Sequence, residues 1–388
     1  MTTTFSNQDD FDQLAQDMRQ WRRFLHAHPE LGFEEHETAA FVAEKLRSWG
    51  IETHTGIGGT GVVGVIHGEQ GEGFRLGFRA DMDALPMQEK TQAGHQSKKD
   101  GVFHGCGHDG HTTILLGLAR HLSTHRNFRG TVHLVFQPAE ELLTGGKTMI
   151  ADGLFERFPC DEMYGLHNHP VLEPGKLGTR VGSMLAACDL FRITVHGVGG
   201  HAAAPQRAID PIVVGSALVQ SLQTIVSRST GPMEAAAVSV CSFHAGTAIN
   251  IISDTAVLEG TIRTLDRDVQ AMTLRRLREI CDGTAQAYGC RIELDHLLTS
   301  PPTINAAGPV ATLLQAGRDV LGAENVVEEI SPILASEDFA FMAEQVPACY
   351  FFLGQGGQMC HHPEFDFNDD VAIHGVRTMA RIAELKLT

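Results

Sequence analysis

The stretch "HGCGHDGHTT" (His104–Thr113) holds a cysteine, three histidines and an aspartate, spaced by Gly105, Gly107 and Gly110. Glycines allow backbone shapes that bulkier residues resist, so side chains in such a segment can converge on one point. Three kinds of chemistry fit. Cys106 and His108 could be metal ligands, Cys106 could be a thiol nucleophile with His108 as its base, or the stretch could be a polar turn leading into the apolar run "ILLGLA". Further along, "TVHLVFQPAEE" ends in adjacent carboxylates, Glu140 and Glu141. Strand alternation would send them to opposite faces. If Pro138 turns the chain, one can bind a cation while the other faces a bound water. "MYGLHNHP" ends in His167 and His169, and "CHHPEF" offers His361 and His362. Thiolate, imidazole and carboxylate together suit borderline divalent ions such as Zn, Co, Ni and sometimes Mn.

Taken singly, each piece has a plain structural reading: a small buried cysteine, a solvated glutamate pair, a surface histidine pair. Their shared placement at strand ends and turns favours a site, because in open α/β sheets sites form at the carboxyl ends of strands.

The elements that must deliver these groups follow from apolar spacing. Phe11, Leu14, Met18, Trp21 and Leu25 predict a first helix, stopped by Pro29 and Gly32. "ETAAFVAEKLRSWG" predicts a second, closed by Gly50. "GVVGVIHG", "FRLGFRA", "TVHLVFQPAE" and "MYGLHNHP" read as strands, with helical patterns after "HGCGHDGHTT" and in "GGKTMIADGLF". That alternation predicts an α/β sheet covered on both faces. From Asp189 the order changes to strand, helix, strand, strand, helix, strand, ending in "RIELDHLLT". This is the β-α-β-β-α-β pattern of a ferredoxin-like sandwich. After "SPPTIN" the α/β style resumes, with a helix from about Gly308, the strand "ACYFFLG" and a closing helix from Asp369. The expected organisation is a catalytic α/β domain in two segments, 1–187 and 299–388, interrupted by an inserted domain, 188–298.

Bulk properties exclude some functions. A chain of 388 residues makes two domains the natural expectation. A net charge of -17 argues against a nucleic-acid partner, which would need a basic stripe. No apolar run approaches the roughly 20 residues that span a bilayer, so no membrane partner is expected. The acidic start, "MTTTFSNQDDFDQLAQDM", lacks the pattern of a signal peptide, and the eight cysteines form no disulfide framework. A cytoplasmic location is expected.

In series, "HPELGFEE", "RADMDALP", "HGCGHDGHTT", "VFQPAEE", "GLHNHP", "GVGGHAAAPQRAIDP", "INIISDTAVLEGTIRT", "SEDFAF" and "HHPEFDFND" resemble the signatures of the dinuclear amidohydrolases. These are the aminoacylase and carboxypeptidase-type metallopeptidases, in the branch that holds hippuricases and indole-acetyl-amino-acid hydrolases. The resemblance runs from about Trp21 to the last helix. It implies two divalent ions per chain, Zn or Mn, with Co or Ni as alternatives. Cys106 would bridge them, and His108, Glu141, His167 and His361 would complete the shells. The family's last motif is His, a variable residue, then Pro, which makes His361 the ligand and His362 its neighbour. Glu140 would be the general base, and Asp81 would orient a ligand. Arg79 stands where more distant branches carry a metal-binding histidine. The inserted domain would serve as lid and dimer interface, making a homodimer or higher oligomer. There, the residue matching His201 reaches into the partner's site, and Asn250 and Arg263 would hold the substrate's carboxylate or carbonyl. "EELLTGG" departs from the branch's small glycine-rich sequence and leaves the pocket wall, hence the substrate preference, open.

The implied function is hydrolysis of the amide bond of small N-acyl amino acids by a metal-activated water. Related readings on the same machinery are an N-acetyl-diaminopimelate-type deacetylase and a dipeptidase. A different class is a thiol hydrolase built on Cys106, which would survive chelation. A metal-dependent binding protein on this fold would usually lose the base, and Glu140 is present.

Overall fold

In a computed structural model, residues 8–387 are described. Residues 1–7, the start of the acidic N-terminal stretch, and Thr388 lie outside the described residues. Helix α1 (Gln8–Ala27) buries Phe11, Leu14, Met18, Trp21 and Leu25, the predicted stripe, and ends two residues before Pro29. Helix α2 (His36–Ser48) buries Val42, Ala43 and Leu46. Strands β1 (Glu52–Ile57), β2 (Gly61–His67) and β3 (Arg75–Asp81) follow, then α3 (His108–Thr124), β4 (Thr131–Gln137) and β5 (Glu162–His169). The half-polar β1, "ETHTGI", has no apolar alternation to announce it. It exists by pairing antiparallel with β2.

The described residues form two compact units: 8–184 with Ile304–Ser331 and 338–387, and Leu185–Thr303 with Pro332–Glu337. In the first, eight strands lie in the order β1, β2, β4, β3, β5, Ala348–Gly354, Leu177–Gly178, Val326–Val327. β4, β3, β5 and Ala348–Gly354 run parallel, so their carboxyl ends share one edge. Their near-continuous burial is what a sheet covered on both faces requires. On one face α3 buries Ile114, Leu115, Leu118 and Leu122 beside Val376, Met379 and Ile382 of the closing helix, Ala372–Lys386.

The second unit is built in the predicted order. Its antiparallel sheet runs Ala236–Ala245, Thr255–Thr264, Ala187–His196, Arg291–Ser300, the strand order of a ferredoxin-like sandwich. Helices Pro211–Thr224 and Arg267–Tyr288 cover it, placing Val214, Leu218, Leu222 and Leu277 on Phe191, Ile193, Leu258 and Ile262. Asp210 and Asp266 cap their first turns. The unit takes in a return segment, Pro332–Glu337, that no apolar pattern marks. It is tied by backbone, with the Ala186 N–H donating to the Ala335 carbonyl at 2.8 Å. Among the described residues no helix is long and apolar enough to cross a membrane.

Candidate metal centre

The parallel strands bring their carboxyl ends together. β3 ends at Asp81, β4 at Gln137 and β5 at His169, while α3 begins at His108. Gly107 makes the entry to α3 possible. It sits at φ 104°, and a Cβ there would lie 2.1 Å from Asn168 Oδ1. Only glycine lets Cys106 and His108 flank a turn this close to β5.

Cys106, His108, Glu140, Glu141, His167 and His361 meet at this edge. Three overlapping groups have their ligand atoms within 4.8 Å of one another: Cys106, His108 and His167; Cys106, Glu141 and His361; His108, Glu140 and Glu141. Cys106 Sγ lies 3.4 Å from His167 Nε2, and His361 Nε2 lies 3.4 Å from Glu141 Oε1. His362 is exposed, and its Nδ1 accepts the Glu364 N–H at 3.1 Å.

The ring orientations suit metal binding. His108 Nδ1 lies 2.9 Å from the Asp83 carbonyl and 3.2 Å from Asp83 Oδ1, both acceptors, so Nδ1 carries a proton. Nε2 then faces Glu140 Oε2 at 3.8 Å and Glu141 Oε1 at 3.9 Å. His167 Nδ1 donates to the Asn168 carbonyl at 2.7 Å, leaving Nε2 toward Cys106. His108 Nε2 and Glu141 Oε1 are buried without a hydrogen-bond partner. Buried polar atoms are rarely left so. A divalent cation satisfies both, and the mixed sulfur, nitrogen and oxygen donors are the right set for one.

The electrostatics agree. Burial alone would lower the His108 pKa, yet Asp81, Asp83 and Glu141 hold it well above the usual histidine range. The pocket favours positive charge. Burial would likewise raise the Asp81 carboxyl, but His108, His111 and Arg79 hold it well below the ordinary carboxylate range.

Asp81, expected to orient a ligand, accepts from His111 Nδ1 at 2.6 Å and Arg79 Nη1 at 2.7 Å, and lies 3.9 Å from His108 Nε2. Its neighbour Asp83 is the residue hydrogen-bonded to His108 Nδ1. Arg79 is fully buried and also donates to Gln137 Oε1 at 2.9 Å and Asp338 Oδ1 at 3.1 Å. Here the guanidinium ties the ends of β3 and β4 to Asp338, at the entry of the short helix Phe339–Ala343. Sequence reasoning missed Asp83, Glu35, Asn168, Asp338 and Cys360 as parts of this neighbourhood. All five lie inside quoted stretches, but nothing in their spacing distinguishes a hydrogen-bonding hub from a capping residue.

His201, Asn250 and Arg263 belong to the second unit. His201 is exposed on the short strand Gly200–His201, paired with Ile251–Ile252. Its Nδ1 accepts the Ala203 N–H at 3.0 Å, so the neutral ring carries its proton on Nε2. Asn250 is exposed, and its carbonyl accepts the Ala202 N–H at 3.1 Å. Arg263 hydrogen-bonds the Ser336 hydroxyl.

Fold and centre together define a metal-dependent hydrolase of amide bonds, and the chain belongs to peptidase family M20/M25/M40, whose model matches residues 77–385. It is 42% identical to a hippurate hydrolase of Campylobacter jejuni, over 93% of this chain and 94% of that one. It is 38% identical to an IAA-amino acid hydrolase of Arabidopsis thaliana, over 93% and 83%. A solved dinuclear metal-binding M20 peptidase of Bacillus subtilis superposes with a TM-score of 0.85 at 30% identity, over 96% of this chain and 98% of that one.

Proposed function

We propose that this chain hydrolyses the amide bond of small N-acyl amino acids with two divalent ions held by Cys106, His108, Glu141, His167 and His361. The observation that carries the reading is Cys106, which belongs to one ligand group with His108 and His167 and to another with Glu141 and His361. Cys106, common to both groups, would help hold both ions. The ions proposed are Zn or Mn, with Co and Ni as alternatives; thiolate and imidazole suit Zn, and carboxylate suits Mn.

The ion pair would supply Lewis acidity, lowering the pKa of a coordinated water toward ~7 and polarising the substrate carbonyl. Glu140, 3.8 Å from His108 Nε2, takes the proton from the attacking water and returns it to the leaving amine nitrogen. The developing oxyanion needs a donor. His201 supplies its exposed Nε2–H, delivered from the second copy of a homodimer formed through the second unit. Asn250 and Arg263 bind the substrate's carboxylate or carbonyl. The eight free thiols are consistent with a reducing cytoplasm.

One contact favours the thiol reading: Cys106 Sγ is 3.4 Å from His167 Nε2. Its surroundings oppose it. The Cys360 thiol, burial, Glu141 and Glu140 together push the Cys106 thiol well above its ordinary value, whereas nucleophilic thiols sit in electropositive surroundings.

Activity on N-acetyl, N-benzoyl and indole-acetyl amino acids, a dipeptide and N-acetyl-diaminopimelate, with Mn, Zn, Co and Ni tested separately, checks the substrate class. Turnover of the acyl amino acids is expected. Turnover confined to the dipeptide would replace this reading with a peptidase.

A further inference from the structure

The segment that delivers His361 also brings a second thiol to the centre. The His361 N–H donates to the Gly105 carbonyl at 2.7 Å, which ties residues 360–361 alongside residues 105–106. The Cys360 thiol donates to the Cys106 carbonyl at 3.6 Å, and its sulfur accepts from Asn168 Nδ2 at 3.6 Å. Cys106 Sγ lies 3.4 Å from Nε2 of the adjoining His167. The two sulfurs therefore contact neighbouring residues of β5, and the thiols are in hydrogen-bond contact with each other. We propose that Cys106 and Cys360 are a redox pair, which hydrogen peroxide or another small hydroperoxide joins in a disulfide, taking Cys106 away from the metals. The inference rests on the reading of Cys106 as a ligand.

Exposure sets the order of events. Cys106 is 8% exposed, whereas Cys360 is half-buried and follows three exposed residues, 357–359. Peroxide meets Cys360 first. The Cys360 sulfur attacks the O–O bond, giving a sulfenic acid and one water. The Cys106 sulfur then attacks the sulfenyl sulfur. An S–S bond forms, the S–O bond breaks, and the hydroxyl leaves with the Cys106 proton as a second water. Two thiols are oxidised and one peroxide is reduced. The exposed residues 357–359 allow Cys360 to shift toward Cys106, while the bond from His361 to Gly105 keeps the segments side by side. A metal ligand must be a thiolate, and a sulfur in a disulfide carries no such charge. Cys106 belongs with His108 and His167 in one group and with Glu141 and His361 in another, so both groups lose it together. An ion already held by Cys106 blocks the second step, since a coordinated sulfur is not free to attack. A dithiol reduces the bond and restores the ligand.

The test strips wild type and Cys360→Ala of metal, treats each with hydrogen peroxide, and then removes the oxidant. Peptide mapping and cobalt(II) titration follow, with and without dithiothreitol, and each chain is compared with its own untreated form. The wild type should yield a peptide cross-linked through Cys106 and Cys360. Its cobalt affinity should fall at least about tenfold, since even the outer partners of a ligand are worth about 10–100-fold. Dithiothreitol should return it to within about twofold of the untreated chain. The Cys360→Ala chain should keep its affinity within about twofold, because oxidation follows exposure; Cys360→Ser replaces it should the alanine chain not fold. Manganese-loaded wild type should resist cross-linking. A stripped wild type in which the two cysteines stay unjoined, whether reduced, singly oxidised or bonded elsewhere, would overturn the proposal and leave the ligand reading standing. So would a Cys360→Ala chain that loses affinity as the wild type does. A cross-linked wild type that binds cobalt at full affinity would show that Cys106 holds no ion, and would sink the ligand reading and the redox pair's effect on the centre together.

Discussion

Glu140 and Glu141 are identical side chains in adjacent positions, and the proposed function gives them different work. Glu141 Oε1 is buried, lies 3.4 Å from His361 Nε2 and shares a ligand group with Cys106. Glu140 Oε2 lies 3.8 Å from His108 Nε2, and Glu140 shares a ligand group with His108 and Glu141. Glu140→Gln should therefore keep the bound metals while turnover falls by about 10²–10⁴-fold, the usual worth of a general base. Near-normal turnover in that variant would move the base to Glu141. The same variant tests His201. If each site takes its oxyanion donor from the other copy, His201→Ala and Glu140→Gln chains are both inactive alone. Co-refolded mixtures recover activity, since one site in each mixed dimer has both residues intact. Verified mixed dimers that stay inactive would remove His201 from the partner's site.

At the scale of elements, the helices and the parallel strands were legible because apolar periodicity records burial directly. Phe11 to Leu25 and the unbroken "ACYFFLG" need no tertiary knowledge. The ligand loops were legible as clusters of rare residue types. The strand β1 and the return segment Pro332–Glu337 were not legible, because backbone pairing holds them and leaves no side-chain signature. The hubs Asp83, Arg79 and Asp338 were hidden for another reason: a buried charge looks like a surface charge in sequence. The turn from Pro138 to Gly145 shows how local the control is. A Cβ on Gly145 would lie 1.6 Å from the Pro138 carbonyl oxygen. Gly145→Ala should force that turn open, cost about 2–4 kcal/mol in urea unfolding, and lower both metal content and turnover. Wild-type metal content and turnover in this variant would show that the turn tolerates displacement.

Across the whole catalytic unit, buried charge ties α1 to the centre. His26 is fully buried, hydrogen-bonded to Asp109 at 2.7 Å and near Glu89 at 3.3 Å. Burial lowers its pKa, but these two carboxylates outweigh that and raise it from 6.5 to about 9. A histidine raised on folding contributes stability that is fully present below its unfolded value and lost as pH rises through the folded one. The contribution is roughly 3 kcal/mol, present near pH 6 and gone above about pH 9. The cost of His26→Gln in urea unfolding should accordingly shrink between pH 6 and pH 9.5; an unchanged cost would mean that His26 is neutral in the folded chain. The molecule's dependence on metal for catalysis is tested most directly by one measurement. The chain is stripped with a chelator and titrated with Mn or Zn while bound metal and N-benzoylglycine hydrolysis are read together. The expected result is no turnover in the stripped chain and full turnover at two ions per chain. Full turnover without metal, abolished by thiol alkylation, would contradict the account and make Cys106 the nucleophile.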